Sequence, residues 1–175
     1  DVASELFLQK SALTDERDKN SVFLGICGGY QLFGHYYQPH NKPRLNGISL
    51  IDAYTVAGNK RFIGNVTVQT DFLSPKTLVG FENHSGLTYL QGDTVALGKS
   101  LVGAGNNGQD KFEGARFKNV FGTYLHGSLL PKNPHFADYL ISLALEKKYN
   151  DKFELSNLDD TLESNTHNSL ISKAY

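Results

Sequence analysis

A short apolar run, residues 21–26, leads without a linker into Cys27-Gly28-Gly29 and then into residues 30–37. Such a run is typical of a strand that is covered on both faces, and residues 30–37 are typical of a short helix. A strand that turns directly into a helix belongs to an α/β domain. The sequence therefore predicts an α/β fold with a mainly parallel sheet flanked by helices.

The turn between strand and helix, Gly25-Ile26-Cys27-Gly28-Gly29, has the Gly-x-nucleophile-x-Gly spacing of a nucleophile elbow, with cysteine in place of serine. The backbone of such a turn is strained, and glycines at both ends remove side chains that would collide there. The turn places Cys27 at the positive end of the helix, which favours the thiolate. It also directs the Gly28 N–H towards a developing oxyanion. We therefore predict Cys27 as nucleophile and Gly28 as oxyanion donor.

Cys27 is the only cysteine in the sequence, which excludes an internal disulfide and a thiolate-rich zinc site. No metal site is predicted. A free cysteine often simply packs in the core, and composition alone favours that alternative. The elbow spacing is the observation that favours catalysis.

A thiol of ordinary acidity is only slightly ionised near neutrality, so a base should lie close to it. Among the six histidines, His126 directly follows residues 120–125, which are typical of a strand, and precedes Gly127. A residue at the end of such a strand faces the crevice where α/β proteins bind ligands. We predict His126 as the base; the alternative is a histidine that caps the strand.

The middle of the chain predicts an additional antiparallel section. Residues 62–70 partly alternate apolar and polar side chains, as a half-exposed strand does, and residues 77–82 and 117–125 look like further strands. Arg61 opens a strand and would bind a carboxylate through two hydrogen bonds, although most such arginines are merely solvated.

Residues 80–86 combine glycines with polar groups after an apolar strand. They predict either the lining of a substrate pocket, with Asn83 and His84 as candidate substrate-binding residues, or an ordinary turn. Residues 103–114 are rich in glycine but have no P-loop pattern, so nucleotide binding is not predicted.

Three further segments, one near the start and two in the last third of the chain, predict helices. Residues 1–20 look like one charged amphipathic helix, and Asn133-Pro134 provides a cap and a first-turn proline. Residues 150–175 form a polar C-terminal extension with a possible short helix over residues 158–174. We find no repeat or linker and expect a single domain over residues 1–175.

The composition and charge of the sequence exclude several classes of function. The net charge of −1 provides no field for gathering nucleic acid or anionic lipid. No apolar run is long enough for a transmembrane segment and no signal peptide opens the sequence, so we expect a cytoplasmic protein. The sequence has no methionine, even at position 1. We therefore expect the natural chain to begin upstream and an N-terminal part of the domain to be missing.

The segments around Cys27, His84 and His126 resemble class I, triad-type glutamine amidotransferases, in the branch that includes cobyric acid synthase. Residues 25–31, 80–84 and 122–127 are similar to that branch's nucleophile, Gly-Tyr-Glu-x-His and histidine motifs, in the same order. The resemblance implies a flavodoxin-like α/β domain. It also implies hydrolysis of L-glutamine to glutamate and ammonia through a thioester on Cys27.

Residues 105–107, 113–114 and 130–133 are further similar to the amidotransferase subunits of lipid II isoglutaminyl synthases. This resemblance implies an ATP-dependent, Mur ligase-like partner subunit that receives the ammonia and amidates D-glutamate of lipid II. ATP and Mg are then expected on the partner, with no cofactor in this chain. The resemblance also implies that Arg61 holds the substrate glutamine.

The chain departs from the wider class at two points. Ser128 stands where that class has a glutamate two residues after the histidine, and the resemblance implies that an aspartate of the partner fills the role. The resemblance also implies that the glycine-rich loop that completes the family's oxyanion hole would lie upstream of Asp1. Three alternatives stay open: a corrinoid-amidating domain of cobyric acid synthase, a non-catalytic binding subunit and, more weakly, a cysteine peptidase.

Overall fold

A computed structural model describes residues 2–172 of the chain. The elements, in chain order, are α1 (Val2–Leu8), α2 (Lys10–Asp18), β1 (Phe23–Ile26), α3 (Gly28–Phe33), β2 (Tyr36–Gln38), β3 (Leu45–Asn46), β4 (Ala53–Gln69), β5 (Thr77–Leu90), β6 (Gly98–Val102), β7 (Phe112–Glu113), β8 (Ala115–Phe117), β9 (Val120–Thr123), α4 (Pro134–Tyr149) and α5 (Thr161–Ser172). Within these residues, no helix combines the length and the apolar character needed to cross a membrane.

A three-stranded sheet, in the order β1-β9-β8, carries the predicted elbow. β1 and β9 are parallel, and their last paired residues are Ile26 and Thr123. Parallel strands end at the same edge of a sheet. The residues that follow the two strands, Cys27 and the segment leading to His126, therefore leave the sheet side by side.

A six-stranded sheet is built around the long antiparallel hairpin of β4 and β5. β6 and the parallel strand β2 also pair with β4, while β7 and β3 extend the sheet at its two ends. The β4–β5 register shifts between Ala57 and Phe62, which marks an irregularity in the hairpin. This irregularity contains Arg61.

The predicted α/β fold with an antiparallel section is confirmed, but the sheets are mixed rather than mainly parallel. Among the described strands, only β1–β9 and β2–β4 are parallel pairs. The physical reason is the connections: the residues between β4 and β5 and between β8 and β9 are too few for a crossover, so each pair must be antiparallel.

Two hydrophobic clusters meet at β9. Phe121 and Leu125 belong to a cluster with Phe136 of α4, whereas Val120 and Tyr124 belong to one with Tyr30 of α3. Each of these residues is fully buried. Because alternate side chains of the strand pack into different clusters, the segment before His126 is held from both sides.

Several predicted elements have different limits in the structure. The opening helix is two helices, α1 and α2, with Asp1 outside the described residues. The helix predicted over residues 30–37 ends at Phe33, and Tyr36–Gln38 forms β2. The predicted C-terminal helix spans Thr161–Ser172, and the last two residues predicted for it lie outside the described range.

Two local predictions, an uninterrupted strand and a helix cap, are wrong. The strand predicted over residues 117–125 is split into β8 and β9 by a turn in which Lys118 has φ 51°. Asn133 precedes α4 but, within the described part, makes no side-chain cap hydrogen bond. Its amide instead pairs with the backbone of Val79 and with the Leu129 carbonyl, so it joins α4 to β5.

Candidate active site

The predicted elbow is present at Cys27, which has φ 53° and ψ −108°. A non-glycine residue rarely adopts positive φ, and such strain is concentrated at functional sites. The Cys27 N–H donates to the Thr123 carbonyl (2.9 Å), and the Cys27 carbonyl accepts the Gln31 N–H (3.0 Å) at the start of α3. The thiol therefore lies on a sharp turn held by the sheet on one side and the helix on the other.

The two glycines that flank the elbow differ in their surroundings. A Cβ on Gly25 would lie 2.7 Å from a ring carbon of Phe33, so close packing of α3 on β1 requires glycine there. A Cβ on Gly29 would have no described neighbour within 4 Å. The prediction that both glycines avoid collisions is therefore right for Gly25 and wrong for Gly29.

The Cys27 thiol is partly buried, and its burial raises its pKa above the usual value. The Gly28 N–H, hydrogen-bonded to the sulfur, and the positive charge of Arg61 lower the pKa but do not outweigh burial. The expectation of a favoured thiolate is therefore wrong for this chain. Desolvation destabilises the charged form, and α3 has only six residues to contribute a dipole.

His126 follows β9 and forms an isolated antiparallel pair with Phe81 of β5. The His126 N–H donates to the Phe81 carbonyl (2.8 Å), and the Phe81 N–H donates back (3.3 Å). Burial and the nearby His84 lower the pKa of His126. The ring is therefore suited to be neutral near pH 7 and to accept a proton.

The β1–β9 pairing brings the segments that carry Cys27 and His126 to the same sheet edge. The Nε2 atom of His126 is buried and has no hydrogen-bond partner among residues 2–172. Hydrogen bonds between catalytic groups are often loose before substrate binds. An unpaired Nε2 is therefore compatible with the predicted role of His126 as a base.

Arg61 and Asn83 form an exposed polar pair beside the thiol. The Arg61 Nε donates to the Asn83 Oδ1 at 2.7 Å, and the Arg61 charge acts on the pKa of Cys27. Arg61 lies inside β4, at the irregularity in its pairing with β5, so the prediction that it opens a strand is wrong. The structure brings Cys27, Arg61 and Asn83 together.

His84 lies behind this surface, with only 1% of its side chain exposed. Its Nδ1 donates to the Gly86 carbonyl at 2.9 Å, and its ring stacks on Tyr124 with centroids 3.6 Å apart. Side chains alternate along a strand, so Asn83 faces outwards and His84 faces inwards. Residues 80–86 lie within β5, and the alternative prediction of an ordinary turn is wrong.

One buried residue, Glu113, received no role from the sequence. Glu113 is 1% exposed, and its Oε1 accepts hydrogen bonds from the Thr123 hydroxyl (2.6 Å) and the Tyr124 N–H (2.8 Å). The sequence signal that could have identified Glu113 was an acidic residue next to the apolar residues of two short strands. Ser128, which replaces the expected glutamate, is exposed and has φ 57°.

A separate cleft of about 830 Å³ has Gln69, Tyr89, Leu97 and Phe112 among its lining residues. It contains none of the predicted site residues. Within the described chain, we find no group of three or more His, Cys, Asp or Glu side chains arranged to hold a metal ion.

Comparison with known proteins identifies the family. Residues 4–134 match the CobB/CobQ-like glutamine amidotransferase domain. Two similar curated proteins are the GatD subunits of lipid II isoglutaminyl synthase (glutamine-hydrolyzing) from Streptococcus pneumoniae and Staphylococcus aureus. The first is 38% identical over 162 residues, which are 92% of this chain and 62% of that protein. The second is 39% identical over 170 residues, which are 97% and 68%.

More distant similarity extends to a probable cobyric acid synthase from Methanococcus maripaludis, 33% identical over 152 residues, which are 82% of this chain and 30% of that protein. A crystal structure of a glutamine amidotransferase from Thermotoga maritima is 21% identical, with a TM-score of 0.48 and coverage of 97% and 69%. This chain thus spans 62–68% of the length of the two GatD subunits. With the family match extending over most of its length, the chain belongs to the CobB/CobQ-like glutamine amidotransferase family.

Proposed function

We propose that this chain hydrolyses the side-chain amide of L-glutamine through Cys27, as the amidotransferase subunit of a lipid II isoglutaminyl synthase. The observation that carries the proposal is the strained position of Cys27 at the end of β1, next to the strand that leads to His126. Family membership supports the reaction type. The names of the two GatD relatives support the choice of synthase.

The proposed reaction begins with neutral His126, which accepts the Cys27 proton as the sulfur attacks the amide carbon of glutamine. The Gly28 N–H, which points at the sulfur, donates to the oxyanion that forms on the amide oxygen. His126 donates this proton to the departing nitrogen, which leaves as ammonia. A γ-glutamyl thioester remains on Cys27. Water, activated by His126, then hydrolyses the thioester to glutamate and restores the thiol.

Arg61 and Asn83 are proposed to hold the α-carboxylate and amino end of the substrate glutamine. A guanidinium matches the two oxygens of a carboxylate, and the bond to Asn83 orients it. The burial of His84 supports an indirect role for this residue, through its stacking on Tyr124, rather than contact with substrate.

The serine at position 128, where the wider class has a glutamate, supports a requirement for a partner. A Mur ligase-like subunit would supply an aspartate to His126, bind ATP and Mg, and use the ammonia to amidate D-glutamate of lipid II. The exposed apolar residues Ile63 (62%) and Phe81 (36%) lie on the outer face of the hairpin beside His126 and suit such an interface. We infer a cytoplasmic location because the reaction needs ATP.

The test is glutamine hydrolysis by the chain assembled with its ligase partner. Cys27→Ala and His126→Ala should each lower kcat by about a thousandfold or more, because nucleophile and base act as a unit. His40→Ala is the matched control, since His40 is exposed and makes one weak contact, to the Gly58 carbonyl. Full glutamine-dependent activity of Cys27→Ala would show the assignment to be wrong.

The similarity to cobyric acid synthase supports a second acceptor, a corrinoid. The assembled complex should be supplied with ATP, glutamine and either lipid II or a corrinoid, and the amidated product identified by mass. A non-catalytic subunit is tested by labelling Cys27 with an electrophilic glutamine analogue. Absence of selective labelling in the complex would favour binding without turnover.

A further inference from the structure

Glu113 is linked through Thr123 to the two parts of the chain that carry the predicted nucleophile, Cys27, and the predicted base, His126. The Glu113 Oε1 accepts the Thr123 hydroxyl, and the Thr123 carbonyl accepts the Cys27 N–H. The Thr123 hydroxyl oxygen in turn accepts the Leu125 N–H at 3.0 Å. One buried carboxylate is therefore linked by single hydrogen bonds to the peptide that holds the nucleophile and to the segment that leads to the base.

The chain between Thr123 and His126 has little strand pairing of its own. Pairing with β1 ends at Thr123, and the isolated pair with Phe81 begins at His126. Buried backbone N–H groups must find acceptors. For Tyr124 and Leu125, these acceptors are the side chains of Glu113 and Thr123. Side-chain contacts thus replace the sheet where the chain turns towards the active site.

The segment that carries Glu113 also holds the helix that follows Cys27. The Tyr30 hydroxyl of α3 donates to the Asn106 Oδ1 (3.0 Å), and the Asn106 amide donates to the Gly114 carbonyl (2.8 Å). The Glu82 carboxylate accepts the N–H groups of residues 104 and 105, which fixes the start of this segment to β5. Residues 104–114 therefore contact both α3, which follows Cys27, and residues 123 and 124, which lead to His126.

We propose that Glu113 is a positioning residue of the glutamine-hydrolysing site, whose buried carboxylate sets the distance between Cys27 and His126 through Thr123. This inference rests on the proposed function. Glu113 does not touch the reacting atoms. Both of its hydrogen bonds use one oxygen as acceptor, a role that the amide oxygen of glutamine can also fill.

In the assembled complex, Glu113→Ala should lower kcat for glutamine hydrolysis by about 100-fold, because a small misplacement of a catalytic group has effects of that size. KM should change little, since Arg61 and Asn83 are outside the network. Thr123→Val, which removes the linking hydroxyl but keeps the carbonyl, should lower kcat in the same direction. Glu113→Gln should recover most of the activity.

A second measurement does not depend on turnover. Burial lowers the pKa of His126, and a loosened segment would admit water and bring that pKa back towards its ordinary value. NMR titration of the complex, with histidines labelled in this chain alone, should show this rise in Glu113→Ala and Thr123→Val but not in Glu113→Gln. None of the three substitutions replaces His84, the other group that acts on the pKa of His126.

The matched control is Thr94→Val. The Thr94 hydroxyl, on a residue 7% exposed, accepts the Asp52 N–H at 2.8 Å, away from the catalytic elements. Its loss should lower Tm without changing kcat or the pKa of His126. If Glu113→Ala and Thr123→Val behave like this control, Glu113 is only structural and the inference is overturned. If the wild-type complex lacks Cys27-dependent hydrolysis, the proposed function fails, while the NMR titration still tests the link to His126.

Discussion

At the Cys27 thiol, burial and neighbouring groups act in opposite directions. Burial raises the pKa of the thiol, whereas the Gly28 N–H and the Arg61 charge lower it. His126 has its pKa lowered, so thiol and imidazole are both favoured in their neutral forms. In the proposed reaction, these directions favour proton transfer during attack over a permanent thiolate–imidazolium pair.

Arg61 is expected to act on binding more than on chemistry. Arg61→Ala should raise KM for glutamine by about 10- to 100-fold, the effect of losing a charge-assisted hydrogen bond of about 1.5–3 kcal/mol. Arg61→Lys should restore only part of the affinity, because lysine lacks the planar fork. Steady-state kinetics of the complex measure this, with Lys60→Ala, its exposed neighbour, as control. An unchanged KM would exclude Arg61 from the substrate site.

At the scale of the elements, the elbow depends on the packing of α3 against β1. Gly25 is the point of closest approach, since the Phe33 ring fills the space that a side chain would need. The hairpin of β4 and β5 has a different role: it carries Arg61 and Asn83 to the elbow and pairs with the chain at His126.

Gly25→Ala should destabilise the fold by about 1–3 kcal/mol, because the added methyl group overpacks the contact with Phe33. Gly29→Ala should stay within about 0.5 kcal/mol of the wild type, because its methyl group meets open space in the described structure. Denaturant unfolding measures both values. Equal stability of the two variants would show that the β1–α3 contact yields more easily than its geometry indicates.

At the scale of the whole molecule, the site combines elements from distant parts of the chain. β1, β4, β5 and β9 all contribute residues, and β9 is fixed between two hydrophobic clusters. One feature points outward beside His126: the exposed side chains of Ile63 and Phe81. A partner that covers this face would complete the surroundings of the base.

Partner binding should therefore shift the ionisation of Cys27. In this chain alone, alkylation by iodoacetamide should follow a pH midpoint above that of an ordinary thiol, because burial raises the pKa. A partner carboxylate near His126 would stabilise the imidazolium and hence the thiolate, so the midpoint should fall on assembly. His126→Ala should remove this fall. A midpoint that does not respond to the partner would contradict the proposed completion of the site.

Much of the site was predictable because its chemistry is local. The glycine spacing around Cys27 predicts a sharp turn from the collisions of neighbouring residues alone, and the structure has that turn. His126 was identified by an apolar run that ends at it. The limits of β8 and β9 were less accurate, because the turn at Lys118 follows from pairing between the strands rather than from a strong turn residue.

The amino-acid sequence by itself determined the elbow and the α/β class, and it selected Cys27 and His126 as the candidates for nucleophile and base, since turn geometry and apolar patterning act between residues close along the chain. Only the tertiary structure decided that burial raises the pKa of the Cys27 thiol, that His84 faces inwards and that Glu113 accepts a hydrogen bond from Thr123. Burial and hydrogen-bond partners come from residues far apart in the chain, so the local pattern contains no record of them.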